Sequence, residues 1–154
     1  MTRMSNKEIK KFLTQGTFTA KIATVKKDGS PHVVPIWFVL DDEQYDRKVN
    51  KIGDIIFTTY EDSLKARNIE RDNRVSVCVD DQTPQYSFVT ISGTAKIFRY
   101  KHNELLKWAT KIARRYMGMS NAKAYGERNS TEGAVLVRIK PTKIIAQKDT
   151  AEWE

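Results

Sequence analysis

The sequence is poor in the residues that crosslink small proteins or bind metals. Its 154 residues include one cysteine, Cys78, and two histidines, His32 and His102. A single cysteine excludes an internal disulfide framework and any zinc site built from several cysteines. Two histidines leave little material for a histidine-based metal site. We therefore expect no metal centre.

Long apolar runs are missing as well. No stretch approaches the roughly 18–20 apolar residues that a membrane-spanning helix requires. Residues 1–15 are charged and lack the apolar core of a signal peptide. Hydrophobic residues nevertheless make up 40% of the chain, which is typical of a folded domain. These features predict a single cytoplasmic domain over residues 1–154 with no membrane attachment.

Several familiar catalytic and nucleotide-binding motifs are also missing. The first predicted strand is not followed by G-x-G-x-x-G, and the chain has neither a Walker loop nor a G-x-S-x-G elbow. The common dinucleotide, ATP and serine-hydrolase sites therefore find no support. Cys78 lies in an alternating strand pattern, which favours a packed thiol over a nucleophile.

Positive charge is in excess. Lysine and arginine number 27 against 19 acidic residues, which gives a net charge of +8. A basic protein attracts anions such as phosphorylated cofactors or nucleic acid, but a well-solvated charged surface gives the same composition. A surface that binds single-stranded nucleic acid carries basic residues interleaved with exposed aromatic residues. Here the basic residues concentrate on one predicted helix, so the pattern disfavours nucleic acid as a partner.

The hydrophobic periodicity predicts a mainly β domain. A capping-box pattern, Ser5 with Glu8, begins a helix over residues 5–15, and Asp28-Gly29 marks a tight hairpin. Two further helices are predicted over 63–71 and 101–117, and residues 119–133 are predicted as loop with at most one helical turn. Six strands follow hairpin-like connections, which favours an antiparallel barrel with flanking helices. The strands are predicted at 17–25, 32–40, 55–60, 75–79, 86–98 and 134–146.

One segment has the features of a phosphate site. A predicted strand ends at Thr58-Thr59, a short turn follows, and a helix begins at Ser63 with Lys65 in its first turn. Free backbone donors, hydroxyl groups and an ammonium group together can bind a phosphate. The alternative is an ordinary strand-to-helix turn, with Ser63 as N-cap and solvated Lys65 and Arg67. The negative charge of Asp62 argues for that alternative.

A second segment, Pro35-Ile36-Trp37-Phe38, combines a proline with two aromatic residues. A strand interrupted in this way can present backbone groups and an aromatic wall to a flat ligand. The alternative is that both aromatic residues pack into the core. In a third segment, Gly93 lies among small and hydroxyl residues and permits a close backbone approach.

The order and spacing of these motifs resemble those of the pyridoxamine-phosphate-oxidase-like split-barrel flavoproteins. The resemblance spans about residues 8 to 146 and is strongest to the branch that uses the deazaflavin coenzyme F420. The motifs that carry it are Asp28-Gly29-Ser30-Pro31, Pro35-Ile36-Trp37-Phe38, Thr58-Thr59 with Ser63, Lys65 and Asn68, Arg74-Val75-Ser76-Val77, and Ile91-Ser92-Gly93-Thr94-Ala95.

The resemblance implies a six-stranded split barrel that forms a homodimer, with the cofactor at the subunit interface. Lys65 and Ser63 match the family's phosphate-binding residues, and Leu64 replaces an arginine, so the phosphate contact is expected to be either weaker or shared with Arg67. Trp37 matches the strand that lines the ring system. The implied cofactor-binding residues are Pro35, Ile36, Trp37, Thr58, Thr59, Ser63, Lys65, Arg67, Asn68 and, from the other subunit, Phe88.

Two departures narrow the expected activity. The oxidase's substrate-binding C-terminal segment and its arginine on the ring-lining strand are both absent, so we do not expect pyridoxamine phosphate oxidation. The resemblance implies hydride transfer from reduced F420 to a small unsaturated acceptor. FMN is the alternative cofactor, and a non-catalytic flavin carrier, haem carrier or nucleic-acid module is the alternative class.

The sequence leaves two roles open. The proton donor stays unassigned among Tyr86, Tyr125 and His32, and no catalytic residue is identified. The basic helix over 101–115 is either a solvated face or a contact for an acidic polyglutamate tail on the coenzyme.

Overall fold

The computed structural model describes residues 2–41 and 52–152. Within these ranges the chain forms four α-helices, a short 3-10 helix and eight β-strands. The helices are α1 (Asn6–Thr14), α2 (Leu64–Arg71), α3 (His102–Met117) and α4 (Ala122–Arg128), with the 3-10 helix at Met119–Asn121. The strands are β1 (Thr2–Arg3), β2 (Ala20–Val25), β3 (Pro31–Ile36), β4 (Val39–Asp41), β5 (Asp54–Tyr60), β6 (Arg74–Asp80), β7 (Phe88–Phe98) and β8 (Ala134–Lys148).

The strands form one antiparallel sheet in the order β3-β2-β6-β7-β8-β5-β4, with β1 paired to β8. This confirms the predicted class, a mainly β antiparallel barrel with flanking helices. The predicted count of six strands is wrong, because the structure has eight in the ranges that it describes. The short strands β1 and β4 account for the difference.

Strand β4 arises because the segment predicted as one strand over 32–40 divides in two. Strand β3 pairs with β2, whereas β4 pairs with β5 on the far side of the sheet. Between them, the Phe38 N–H donates to the Tyr116 hydroxyl at 3.2 Å, and the Phe38 carbonyl accepts from Arg115 at 2.8 Å. Side chains of α3 thus satisfy backbone groups that would otherwise need a sheet partner.

The main core lies between the sheet and α1. Alternating residues of β6, Val75, Val77 and Val79, face it, and α1 contributes Phe12 and Leu13. A smaller cluster of Ile56, Leu105, Trp108 and Leu136 packs under α3. The smaller cluster packs α3, which borders the candidate site, against β5 and β8.

The long strands β7 and β8 fit closely at their register shift, which falls between Ser92 and Gly93. A Cβ atom at Gly93 would lie 2.6 Å from the carbonyl oxygen of Lys140. This close approach explains the glycine and agrees with its predicted role.

The helix ends show where local sequence signals act. In α1 the Ser5 hydroxyl accepts from the Glu8 N–H at 3.2 Å, and the Glu8 carboxylate accepts from the Ser5 N–H at 2.9 Å.

Helix α4 occupies part of the segment predicted as loop over 119–133. Among the described residues, no helix combines the length and the apolar character needed to cross a membrane.

Candidate functional site

A cavity of about 310 Å³ lies where the ends of β3 and β5 meet α2 and α3. Its volume is at the lower end of the roughly 300–1,000 Å³ that small-molecule pockets occupy. Six of the ten predicted cofactor-binding residues line it, and they come from two separate segments of the chain, 35–37 and 58–65. The lining residues are Pro35, Ile36, Trp37, Thr58, Thr59, Tyr60, Lys65, Ile112 and Asn129.

The aromatic wall of the cavity is Trp37. Its half-buried ring stacks on Tyr116 of α3, with ring centroids 5.2 Å apart and planes within 4° of parallel. The neighbouring Phe38 is fully buried in the main core. Each predicted interpretation of this segment therefore holds for one of the two aromatic residues. Phe38 packs into the core, and Trp37 lines the cavity.

Tyr116 and Arg115 fix the bend that carries Trp37. The Tyr116 hydroxyl accepts from the Phe38 N–H and donates to the Phe18 carbonyl at 2.7 Å. Burial raises the pKa of Tyr116, which keeps this hydroxyl protonated. The Arg115 guanidinium donates to the Phe38 carbonyl and, at 2.8 Å, to the carbonyl of Leu13 near the end of α1. Helix α3 thus holds the cavity wall in a defined orientation.

Replacing Tyr116 by phenylalanine tests this support. The variant keeps the stack on Trp37 but removes both hydrogen bonds of the hydroxyl. We expect a loss of about 0.5–1.5 kcal/mol in the free energy of unfolding, measured by urea titration. Tyr125→Phe is the matched control, because the Tyr125 hydroxyl makes no hydrogen bond within the described ranges. Equal stability of the two variants would contradict the proposed support.

The part of the cavity lining that comes from β5 and α2 combines hydroxyl groups with a cation. The hydroxyls of Thr59 and Ser63 are hydrogen-bonded at 3.1 Å. Ser63 also accepts from the Ala66 N–H at 3.3 Å and so caps the N-terminus of α2. Ser63 is thus an N-cap, as one alternative predicted, and it contacts a residue that lines the cavity.

Lys65 is the charged group of the cavity. Its side chain is half-buried, and no ion pair or hydrogen bond engages it in the part of the chain that the structure describes. Burial lowers the pKa of its ammonium group. A partly desolvated cation without a counter-ion is favourably placed to bind an anion.

Four predicted site residues are not part of the cavity lining: Ser63, which contacts it through Thr59, and the three residues Arg67, Asn68 and Phe88. Arg67 is exposed on α2. Asn68 is fully buried, donates to the Thr24 hydroxyl at 3.0 Å and accepts from Arg71 at 2.9 Å, so its side chain holds α2 against β2. Phe88 lines a separate groove of about 610 Å³ together with Cys78.

Three lining residues were not predicted from the sequence: Tyr60, Ile112 and Asn129. The helical stripe of α3 includes both Ile112 and Tyr116, but that pattern predicts only a buried face. The Tyr60 hydroxyl bonds to the Thr131 hydroxyl at 2.6 Å and to the Arg128 carbonyl at 3.0 Å. None of the three candidate proton donors, Tyr86, Tyr125 and His32, lines the cavity.

The fold and the cavity define a class: an antiparallel split-barrel protein with a cavity between strand ends and helices. Comparison with known proteins places the chain more narrowly. The sequence profile described as pyridoxamine 5'-phosphate oxidase matches residues 5–148, so the chain belongs to that family. This confirms the resemblance seen in the sequence. Among curated proteins, the search found no match.

Solved structures agree with this assignment. A conserved hypothetical protein from Mycobacterium tuberculosis is 27% identical, with a TM-score of 0.77, over 95% of this chain and 86% of that one. A protein described as an F420 reductase is 24% identical, with a TM-score of 0.65, over 87% of this chain and 94% of that one. HutZ, the haem storage protein from Vibrio cholerae, is 19% identical, with a TM-score of 0.68, over 94% of this chain and 96% of that one.

Proposed function

We propose that this protein is an oxidoreductase that binds reduced coenzyme F420 and positions it for hydride transfer to a small unsaturated acceptor. The observation that carries the proposal is the cavity itself. It brings an aromatic wall, Trp37, together with strand-end hydroxyls and the half-buried cation Lys65, which has no ionic partner among the described residues. An aromatic ring system that carries a phosphate matches these three features.

The residues present fit such a cofactor. Trp37 and the adjoining backbone of Pro35 and Ile36 would flank the ring system. Thr58, Thr59 and Ser63 would contact the polyol chain and the phosphate, and Lys65 would neutralise the phosphate charge. When bound, a reduced deazaflavin supplies the hydride. The protein's own contribution is to hold the ring, bind the phosphate and exclude water from the reacting face.

Membership of the family supports flavin-type binding in general. The choice of F420 is supported by the sequence of the ring-lining strand and by the fold shared with the F420 reductase. Two other candidates have support of their own. The fold is equally compatible with FMN as the cofactor. The likeness to a haem storage protein favours a carrier without turnover as the second class.

The proposal includes a cytoplasmic homodimer with the cofactor at the subunit interface. Phe88 and its groove would then belong to the face that meets the second copy. Size-exclusion chromatography with light scattering tests the dimer.

A paired equilibrium titration tests the proposed cofactor. Protein freed of bound ligand is titrated separately with F420, FMN and haemin, and ligand and tryptophan fluorescence are recorded. We expect micromolar or tighter binding of F420 and weaker binding of FMN. The reverse preference would move the protein to the FMN class, tight binding of haemin alone would favour a carrier, and binding of none would overturn the proposal.

A further inference from the structure

Asn129 lies on a segment that the structure holds tightly. A Cβ atom at Gly126 would lie 2.9 Å from the Cα of Thr110, so α4 packs directly against α3. The Asn129 N–H donates to the Tyr125 carbonyl at 3.0 Å. The next residue, Ser130, is 2% exposed and donates from its hydroxyl to the Glu127 carbonyl at 3.3 Å. The backbone at Asn129 is therefore fixed on both sides.

This fixed backbone also meets the cavity wall. The Tyr60 hydroxyl donates to the carbonyl of Arg128, the residue before Asn129. His102 at the start of α3 contacts the Ser130 carbonyl through Nδ1 at 3.2 Å. Asn129 is thus joined to β5 on one side and to α3 on the other.

The side chain of Asn129 is not used by this network. Asn129 is a half-buried residue of the cavity lining, and its side chain makes no hydrogen bond within the described ranges. The Tyr60 hydroxyl, by contrast, is already bonded to the Thr131 hydroxyl and to the Arg128 carbonyl. A rigid backbone that presents an unused amide to a cavity is the arrangement expected of a ligand-binding residue.

We propose that Asn129 binds the uncharged part of the ligand, with its amide donating to and accepting from the ring edge or the polyol hydroxyls. The inference rests on the proposed function and extends it to a residue outside the motifs that carry the family resemblance. An amide offers donors and an acceptor side by side, which suits a neutral ring edge or polyol. The phosphate already has a cation in Lys65, whose charge suits it better than a neutral amide does.

Pairs of ligands with and without phosphate separate the two roles. Asn129→Ala and Lys65→Ala are titrated with FMN and riboflavin, and with F420 and its phosphate-free deazaflavin chromophore. Asn129→Ala should weaken both members of a pair by a similar factor of roughly two to ten. Lys65→Ala should weaken only the phosphate-bearing member. Asn73→Ala, at an exposed asparagine, is the matched control and should leave every affinity unchanged.

A second variant, the near-isosteric Asn129→Asp, keeps the inference testable if Asn129→Ala does not fold. It keeps the side-chain shape and an acceptor but loses the amide donors, so it too should bind the phosphate-free ligands more weakly. Wild-type affinity in both Asn129 variants would overturn this inference and leave the proposed function intact. A loss confined to the phosphate-bearing ligands would assign Asn129 to the phosphate instead. Failure of the wild-type protein to bind any of the four ligands would overturn the inference together with the proposed function.

Discussion

Replacing Lys65 by alanine should weaken binding of the phosphate-bearing cofactor by roughly 1.5–3 kcal/mol, a 10- to 150-fold change in Kd. The ammonium is half-buried in the cavity and has no ionic partner in the described part of the chain. A charge-assisted hydrogen bond to phosphate made there is less screened than one on an open surface. Fluorescence titration of the wild-type protein and the variant measures the difference.

Three further variants show whether the effect belongs to this cation. Lys65→Arg keeps the charge and should retain most of the affinity. Lys143→Ala removes an exposed charge on β8 and should change little. Arg67→Ala tests the shared phosphate contact that the resemblance implies, and its exposed position predicts a smaller loss. Unchanged affinity in Lys65→Ala would remove this site assignment.

The charge of Lys65 should also make the affinity for the phosphate-bearing ligand depend on pH. Burial lowers the pKa of Lys65 from its ordinary value of 10.5. The group is charged below that lowered pKa and loses its charge as the pH rises through it. Affinity for the phosphate-bearing ligand should therefore fall as the pH rises through that lowered pKa. A phosphate-free ligand, or the Lys65→Arg variant, should lack this loss.

The parts of the site that could be predicted are those encoded within a few consecutive residues. Thr58, Thr59, Ser63 and Lys65 lie within one strand-turn-helix segment, where capping chemistry and strand ends determine the geometry. The wall at residues 35–37 follows from a proline and aromatics in one strand. Local patterns of this kind need no knowledge of how distant segments meet.

Contacts between distant segments could not be predicted in the same way. Tyr116 fixes the bend at Phe38 across 78 positions of sequence, and its helical stripe indicates only that the face is buried. Asn68 matches a family motif, yet its buried amide bonds to Thr24 of β2, 44 positions away. The break between β3 and β4 likewise depends on α3, so the segment was predicted as one strand.

Removing the charge of Arg138 should destabilise the fold more than removing the hydroxyl of Tyr116. Asp41 on β4 and Asp54 on β5 stand directly opposite each other in the ladder, where like charges repel. Arg138 on β8 binds Asp41 at 2.7 Å and lies 3.8 Å from Asp54. The side chains of Arg138 and Asp41 are only 13% and 6% exposed. Breaking such a pair leaves a carboxylate in a poorly solvated position.

For Arg138→Met we therefore expect a loss of about 3–5 kcal/mol in the free energy of unfolding, the usual cost of breaking a buried ion pair. Methionine keeps apolar packing beside Trp108, whose ring centroid lies 5.4 Å from the guanidinium. Urea unfolding at neutral pH measures the loss. Arg74→Met is the matched control: it breaks an exposed pair with Asp72 and should change stability little.

The pH dependence of that loss separates charge from packing. Burial raises the pKa of Asp54, and Arg138 opposes this rise, so Arg138→Met should raise the pKa further. A carboxyl whose folded pKa exceeds its unfolded value favours the fold at low pH, and this contribution disappears as the pH rises through the folded pKa. The variant should therefore lose least stability in acid and most at neutral pH.

The double variant with Asp41→Asn should be less destabilised than the two single losses combined, because the neutral amide no longer needs the cation. A loss that is independent of pH and strictly additive would mean that Arg138 acts through packing alone.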